Sequence, residues 1–181
     1  MLHPALVRLV PHDPQWAEQA HAEVLALAAA LGPNLLTVHH IGSTAIPGIV
    51  AKPVLDLMPV VVSLAALDQQ QEAMETLGYR WRGESGLAGR RYCTRSDPAT
   101  GRRLIQAHAY EDGAFEITRH LAFRDYLREH CDIAVAYERE KMRCRDLHAE
   151  DKSAYSDCKS DWIRLIAVSY THLTLPTICS V

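Results

Sequence analysis

The spacing of hydrophobic residues changes along the chain, and it predicts an early helix followed by a small sheet. After Asp13-Pro14, apolar residues recur at steps of three and four, which is typical of an amphipathic helix. This apolar stripe consists of Trp16, Ala20, Val24, Leu27 and Leu31. Gly32-Pro33 ends the helical pattern. A short strand over 35–41 then precedes a nearly continuous apolar run over 54–62, which is typical of a central strand buried on both faces.

The rest of the chain is predicted to complete the sheet and then to become helical. A helix is expected over 63–77, and a hairpin is expected from strands near 90–95 and 104–110. Three further helices are predicted over 119–130, 133–148 and 153–168. We therefore expect a mixed α/β (α+β) fold, with a small mixed sheet flanked by helices and a helical C-terminal part. Residues 1–168 are expected to form a single domain.

The last segment, 169–181, breaks the helical pattern. Its sequence resembles translated vector sequence, so we interpret it as a non-native tail and exclude it from the prediction of the fold. A genuine tail of the protein is the alternative.

Composition limits the classes of protein that the chain can belong to. The net charge is −3, so an extensive nucleic-acid-binding surface is not expected. No apolar run reaches the roughly 18 residues of a membrane helix, and we see no secretion signal in the first ten residues. The five cysteines are odd in number and form no CxxC pair, which favours reduced thiols in a cytoplasmic protein.

Asp56 is the first candidate for chemistry because it interrupts an otherwise apolar strand. Burying a carboxylate is costly unless it is paired, hydrogen-bonded or bound to a cation. The functional interpretation is that Asp56 is the ligand of a metal ion. The structural alternative is a carboxylate held by backbone N–H groups or by a neighbouring arginine.

The loop before this strand carries the second group of candidates. Gly42 allows close approach of a ligand to the backbone, and turn N–H groups with the hydroxyls of Ser43 and Thr44 could hold phosphate oxygens. Lys52 is available to neutralise phosphate charge. The alternative is that this loop is only a tight connection between two strands.

A Gly-Ser turn followed by an Asp on the next strand resembles the signature of the nucleotidyltransferase superfamily. The longer strings His40-Ile41-Gly42-Ser43-Thr44-Ala45-Ile46-Pro47-Gly48 and Ala51-Lys52-Pro53-Val54-Leu55-Asp56 closely resemble the GrpB family, also called UPF0157. The string Leu121-Ala122-Phe123-Arg124-Asp125-Tyr126-Leu127-Arg128 matches the same family. The family also occurs as an extra C-terminal domain of some bacterial dephospho-CoA kinases. The resemblance covers residues 7–168 and implies a nucleotidyltransferase-like core with a helical cap.

The resemblance leaves catalysis open, because one expected metal ligand is replaced. The superfamily holds divalent cations with two or three carboxylates. The second carboxylate is expected at position 58, but Met58 stands there, and a thioether is a poor ligand for Mg²⁺. Asp56 is therefore the one strand residue expected to hold Mg²⁺.

Other polar residues are candidates to complete the site. The GrpB resemblance places a histidine at His108, which could act with Asp56 in catalysis, and a half-buried strand histidine is its alternative. His40 is expected to help to bind the phosphate or nucleotide, and alternation along the strand puts His39 on the opposite face. Arg91 is a candidate phosphate ligand, since arginine suits bidentate contact with phosphate.

Three functions are compatible with this sequence. The first is binding of a nucleotide or another phosphorylated small molecule, with nucleotidyl or phosphoryl transfer to a small-molecule acceptor. The second is a non-catalytic module that senses a ligand or assists folding or assembly of an enzyme, and Met58 favours it. The third is a metal-dependent hydrolase that uses His40, Asp56 and His108.

Overall fold

A computed structural model describes the backbone of residues 6–174 and side chains of residues 6–167, and this part of the chain contains five strands and six α-helices. The strands are β1 (Leu35–Ile41), β2 (Leu55–Val61), β3 (Tyr79–Trp81), β4 (Arg90–Ser96) and β5 (Arg103–Glu111). The helices are α1 (Gln15–Leu31), α2 (Leu64–Gln69), α3 (Gln71–Thr76), α4 (Phe115–Glu129), α5 (Cys131–Leu147) and α6 (Lys152–Thr174). The predicted mixed α/β fold is confirmed.

The five strands form one mixed sheet in the order β1-β2-β5-β4-β3. Strand β2 is antiparallel to β1 and parallel to β5, while β4 is antiparallel to both β5 and β3. Asp56 on β2 lies opposite Ile41 on β1 and Gln106 on β5. Because side chains alternate between the faces of a sheet, this register decides which candidates can meet.

The two faces of the sheet are covered by different helices. Helices α1 and α3 cover one face, where Leu27 and Leu31 pack with Leu57 and Ala107 in the larger hydrophobic core. The other face bears Met58, which is 0% exposed and packs in a cluster with Ile41 and Tyr110 that includes α4 residues. Position 58 is therefore part of the core, and an unpaired carboxylate there would carry a high desolvation cost.

Most predicted elements are confirmed, and the differences have local causes. The predicted helix over 63–77 is two short helices that meet at Gln70. Strand β3 was not predicted, because three residues are too few to show alternation. Helix α6 continues to Thr174, so the expected end of the helical pattern at residue 168 is wrong. No Pro or Gly interrupts residues 169–174, whereas Pro176 follows shortly after them. Residues 175–181 of the predicted tail lie outside the described residues.

The expectation of reduced thiols is wrong for two of the five cysteines. Cys144 of α5 and Cys158 of α6 form a disulfide, with their Cα atoms 5.8 Å apart. Spacing along the sequence did not indicate the pair, because the two residues meet only when consecutive helices pack side by side. Among the described cysteines, Cys93 and Cys131 are free.

Among the helices of the described chain, none combines the length and the apolar character that a membrane crossing requires.

Candidate functional site

The loop between β1 and β2, residues 42–54, is called the glycine loop here, and Gly42 in it contacts Asp56. Gly42 has φ 70°, and the 3₁₀ turn Ser43–Ala45 follows it directly. A Cβ atom at Gly42 would lie 2.5 Å from Oδ2 of Asp56, which is closer than real side chains approach. Glycine is therefore required at position 42 twice, for its backbone angle and for the space that the carboxylate occupies.

A cavity of about 990 Å³ opens beside this loop, between the sheet and helices α4 and α6. Of the side chains that the structure describes, six basic ones and two carboxylates line it. The basic residues are Lys52, Arg90, Arg119, Lys152, Lys159 and Arg164, and the acidic ones are Asp56 and Glu116. Of the residues predicted from the sequence, the structure brings Gly42, Ser43, Thr44, Lys52, Asp56 and His108 to the cavity.

Asp56 lies deep in the protein, yet its side chain retains 31% exposure because it faces the cavity. Its Oδ1 is 3.7 Å from Nε2 of His108. Burial raises the pKa of Asp56, but the hydrogen bond and charge of His108, together with Lys159 and Lys52, outweigh that effect and lower the pKa overall. Asp56 is consequently ionised at neutral pH.

Two lysines face the cavity without a carboxylate partner. Neither Lys52 nor Lys159 forms an ion pair within the described residues, and each ammonium instead lies over the ring of Tyr155, at 5.0 Å and 4.8 Å from its centroid. Burial and the charge of Lys159 lower the pKa of Lys52 to about 8, and burial lowers the pKa of Lys159. An anion in the cavity would supply the negative charge that these lysines lack.

One wall of the cavity is aromatic. The ring centroids of Tyr92 and His108 are 5.0 Å apart, and those of His108 and His120 are 6.3 Å apart. His120, which no pattern in the sequence indicated, reaches the cavity from α4. Burial, with the charges of Arg119 and His108, lowers the pKa of His120 to about 3, so this ring is neutral.

Two predicted phosphate ligands do not line the cavity, and the alternation of the strands explains both corrections. Arg91 lies on the other face of the sheet and forms a bidentate pair with Asp68 of α2, at 2.5 and 2.7 Å. Its neighbour Arg90 lines the cavity instead. His40 also lies opposite the Asp56 face, where its Nε2 is 2.8 Å from Oγ1 of Thr44. The set of His40, Asp56 and His108 required by a hydrolase is therefore not assembled.

Three cations from the helical part hold the glycine loop in place. Arg124 and Arg128 of α4 donate hydrogen bonds to the carbonyls of His40 and Ala45, at 3.1 and 2.8 Å. Lys141 of α5 is 1% exposed and donates to the carbonyl of Val50. Arg124 also pairs with Asp125 on its own helix, at 2.7 Å.

The two buried histidines predict that the protein loses stability in acid. Burial lowers the pKa of His40 to about 4 and that of His120 to about 3, whereas both rings titrate near 6.5 when unfolded. Above pH 6.5 the two rings are neutral in both the folded and the unfolded protein. As pH falls toward 4, these rings gain protons in the unfolded chain only. We expect the free energy of unfolding to fall by about 2 kcal/mol between about pH 7.5 and about pH 5, after discounting for solvent screening.

Urea unfolding at the two pH values measures this loss. The His120→Gln variant should lose less stability than the wild type over the same interval, while replacement of the exposed His21 by Gln should change nothing. A wild-type stability that is flat between the two pH values would contradict the neutral, buried state of these rings.

The carboxylates of the described residues do not form a two-metal site in this cavity. Asp56 offers one carboxylate, and Glu116 pairs with Arg119 on its own helix at 2.5 Å. Within the described chain, one group of three metal-ligating side chains comes close enough to hold an ion. That group is Glu140, Cys144 and Cys158, away from this cavity, and its two sulfur atoms are joined in the disulfide. Asp56 with the phosphates of a ligand fits a single Mg²⁺, which commonly binds one or two carboxylates and substrate oxygens.

Comparison with solved structures supports the fold. The conserved protein GrpB from Enterococcus faecalis has a TM-score of 0.84 and 37% identity, covering 91% of this chain and 98% of that chain. A structure of the Cid1 poly(U) polymerase has a TM-score of 0.52 at 14% identity, covering 75% of this chain and 44% of that chain. The second likeness shows the fold alone: this chain shares the architecture of part of that polymerase.

Comparison with known sequences shows the family. The chain is 39% identical over 158 residues to the UPF0157 protein YqkA of Bacillus subtilis, covering 87% of this chain and 45% of that protein. It is 33% identical over 182 residues to a dephospho-CoA kinase of Mycolicibacterium paratuberculosis, covering 88% and 45%. The chain thus spans about half the length of these two relatives. A family model described as GrpB protein matches residues 6–168. On this evidence the chain belongs to the GrpB family.

Proposed function

We propose that the protein binds a nucleotide, or another phosphorylated small molecule, in the cavity beside the glycine loop. The observation that carries this proposal is the excess of positive charge, six basic side chains against two carboxylates, in a recess lined by hydroxyls. Such a recess attracts anions, because walls of low dielectric constant strengthen the field of Lys52 and Lys159, the two lysines that are largely buried in it.

The arrangement of the lining favours phosphate over a simple carboxylate ligand. Ser43 and Thr44 begin a 3₁₀ turn, so their N–H groups have no partner inside that turn, and both residues line the cavity. The hydroxyl of Thr44 is hydrogen-bonded to His40, and that of Ser43 donates to Tyr137 at 3.4 Å. Lys52 and Lys159 line the same cavity, over Tyr155. Several donors from different elements suit the several oxygens of a di- or triphosphate.

The catalytic part of the proposal is nucleotidyl or phosphoryl transfer to a small-molecule hydroxyl. Ionised Asp56 beside His108 gives the cavity one group that can accept a proton from an attacking hydroxyl. The lysines would hold the phosphates and balance the charge that develops during transfer. Mg²⁺, when bound with the ligand, would add Lewis-acid stabilisation through Asp56.

A non-catalytic module is the second candidate, and buried Met58 favours it. The position where the superfamily needs a second carboxylate is packed into the core, so transfer chemistry would depend on Asp56 alone. One relative is a dephospho-CoA kinase, of which this chain matches less than half. A domain that binds a phosphorylated ligand and assists such an enzyme would need the cavity but not turnover.

Replacing Lys159 by methionine should weaken ligand binding by at least tenfold, about 1.4 kcal/mol. Methionine keeps the apolar stem and removes one buried charge that has no carboxylate partner. Isothermal titration with pyrophosphate and with ATP, each with and without Mg²⁺, measures the affinity. Arg102→Met is the matched control, because it removes one exposed positive charge from the β4–β5 turn and does not line the cavity.

Two results would contradict the binding proposal. The first is no shift of the unfolding midpoint with any of these ligands at millimolar concentration, since a ligand at a hundredfold excess over its Kd adds about 2.7 kcal/mol. The second is an equal affinity of the Lys159 and Arg102 variants. If the ligand binds and phosphorus NMR detects no product, the non-catalytic module remains as the function.

A further inference from the structure

Helix α6 forms one side of the cavity, and a disulfide ties it to the neighbouring helix. Its basic and hydroxyl side chains in the cavity are Lys152, Ser156, Lys159, Ser160 and Arg164. Cys158 lies among them along the helix and is bonded to Cys144 of α5. The position of half the cavity's positive charge therefore depends on what holds α6 against α5.

Electrostatic repulsion acts to move this helix away from the sheet. Lys52, Arg90 and Arg119 line the same cavity from the loop, from β4 and from α4, and Arg119 is paired with Glu116. Lys159 of α6 and Lys52 of the loop repel one another, and this repulsion lowers the pKa of Lys52. A cross-link on α6 opposes that repulsion directly.

The two parts of α6 are held differently, and we call residues 152–160 its first half and the rest its second half. In the second half, Trp162 stacks on Tyr137 of α5 with centroids 5.2 Å apart, and other apolar side chains join the same cluster. In the first half, Tyr155 is the one fully buried apolar side chain among the described residues, and it packs in a small cluster with the disulfide cysteines. Loss of the cross-link would therefore act on the first half of the helix.

The disulfide is accessible from outside the phosphate cavity. A second cavity, of about 670 Å³, lies along α5 and α6 and is lined by Cys158 and Arg143. Cys144 is 0% exposed, so a reductant that enters there meets the sulfur of Cys158 first. Nη2 of Arg143 is 3.3 Å from Sγ of Cys158 and 3.9 Å from Sγ of Cys144, and Arg143 also pairs with Glu140, whose Oε1 is 3.4 Å from Sγ of Cys144.

We propose that the Cys144–Cys158 disulfide is a redox-controlled clip that holds the first half of α6 over the cavity and releases it on reduction by a dithiol. The reductant thiolate attacks Sγ of Cys158, the S–S bond breaks, and Cys144 leaves as a thiolate that takes a proton from water. The second thiol of the reductant then attacks the mixed disulfide and releases the Cys158 thiol. The protein gains two electrons and two protons, and the reductant becomes a disulfide.

The size of the effect follows from the short loop that the bond closes. The two cysteines are separated by 14 positions, and closing a loop of this length favours the closed arrangement by on the order of 100-fold. Opening of α6 is independent of the ligand. The accompanying loss of anion affinity rests on the proposed function.

Hydrogen exchange of the full chain, air-oxidised and after treatment with dithiothreitol, tests the clip. Amides of residues 152–160 should exchange at least tenfold faster after reduction, while those of β2 should not change. The Cys144→Ser/Cys158→Ser variant should show the fast exchange in both conditions, which separates the clip from effects on other cysteines. Pyrophosphate should bind the reduced protein at least tenfold more weakly than the oxidised protein.

The outcomes separate the two proposals. Unchanged exchange in α6 after reduction overturns the clip, even if pyrophosphate binds tightly. Free thiols at Cys144 and Cys158 in the air-oxidised protein, detected by alkylation and mass spectrometry, also overturn it. Faster exchange in α6 with no pyrophosphate binding in either state supports the clip and contradicts the proposed function.

Discussion

Replacing Gly42 by alanine is expected to destabilise the protein by about 3 kcal/mol and to abolish ligand binding. The positive φ of residue 42 costs alanine about 1–2 kcal/mol, and the added methyl group would meet Asp56 at 2.5 Å. Relief of that clash requires the loop and the carboxylate to separate, which displaces Ser43 and Thr44 from the cavity wall. Urea unfolding and titration with pyrophosphate measure the two effects.

The matched control for this variant is Gly48→Ala. Gly48 also has a positive φ, of 80°, but a Cβ atom there meets no heavy atom within 4 Å. Its replacement should cost about 1 kcal/mol from backbone strain alone and should leave binding intact. Equal losses of stability and binding in the two variants would mean that contact between Gly42 and Asp56 is not what shapes the site.

The second large effect is expected for Asp56→Asn. The amide keeps the size of the side chain but removes the charge that faces His108, Lys159 and Lys52, so we expect a loss of about 2 kcal/mol of stability at neutral pH. Metal-free pyrophosphate should bind several times more tightly, because one repelling carboxylate has gone. Any gain in affinity from Mg²⁺, and any turnover, should disappear, because the remaining site has no carboxylate beside the loop.

Glu116→Gln is the control, since it removes the other carboxylate of the cavity. Glu116 is paired with Arg119 on α4, so its loss should leave the effect of Mg²⁺ on nucleotide affinity unchanged. The same dependence on Mg²⁺ in the wild type and the Asp56 variant would contradict the role of Asp56 as the metal ligand. An unchanged stability would contradict its role as counter-charge to the buried lysines.

The sequence predicted the strands of the site but not the register between them. Arg90–Arg95 was predicted as a strand, yet the choice between Arg90 and Arg91 depends on Tyr92 pairing with His108, which local pattern does not determine. That register puts Arg90 on the Asp56 face and Arg91 against α2. The same alternation puts the side chain of His40 on the face away from Asp56, because His40 pairs with Leu57 and Ile41 pairs with Asp56.

Contacts from the helical part were beyond the reach of periodicity. Lys159 and His120 lie on helices whose rotation about their axes depends on tertiary packing, and so does the meeting of Cys144 with Cys158. The sequence strings that suggested the family have a common structural reason, however. Arg124 and Arg128 donate to the carbonyls of His40, at the end of β1, and of Ala45, in the loop. The family string on α4 and the family string around Gly42 therefore belong to one site.

Binding of phosphate beside the glycine loop is best tested by a crystal structure of the protein with pyrophosphate. We expect phosphate oxygens in the cavity, in contact with Ser43 and with the ammonium groups of Lys52 and Lys159. Pyrophosphate bound elsewhere, or a cavity that holds only water at saturating pyrophosphate with the fold unchanged, would contradict it.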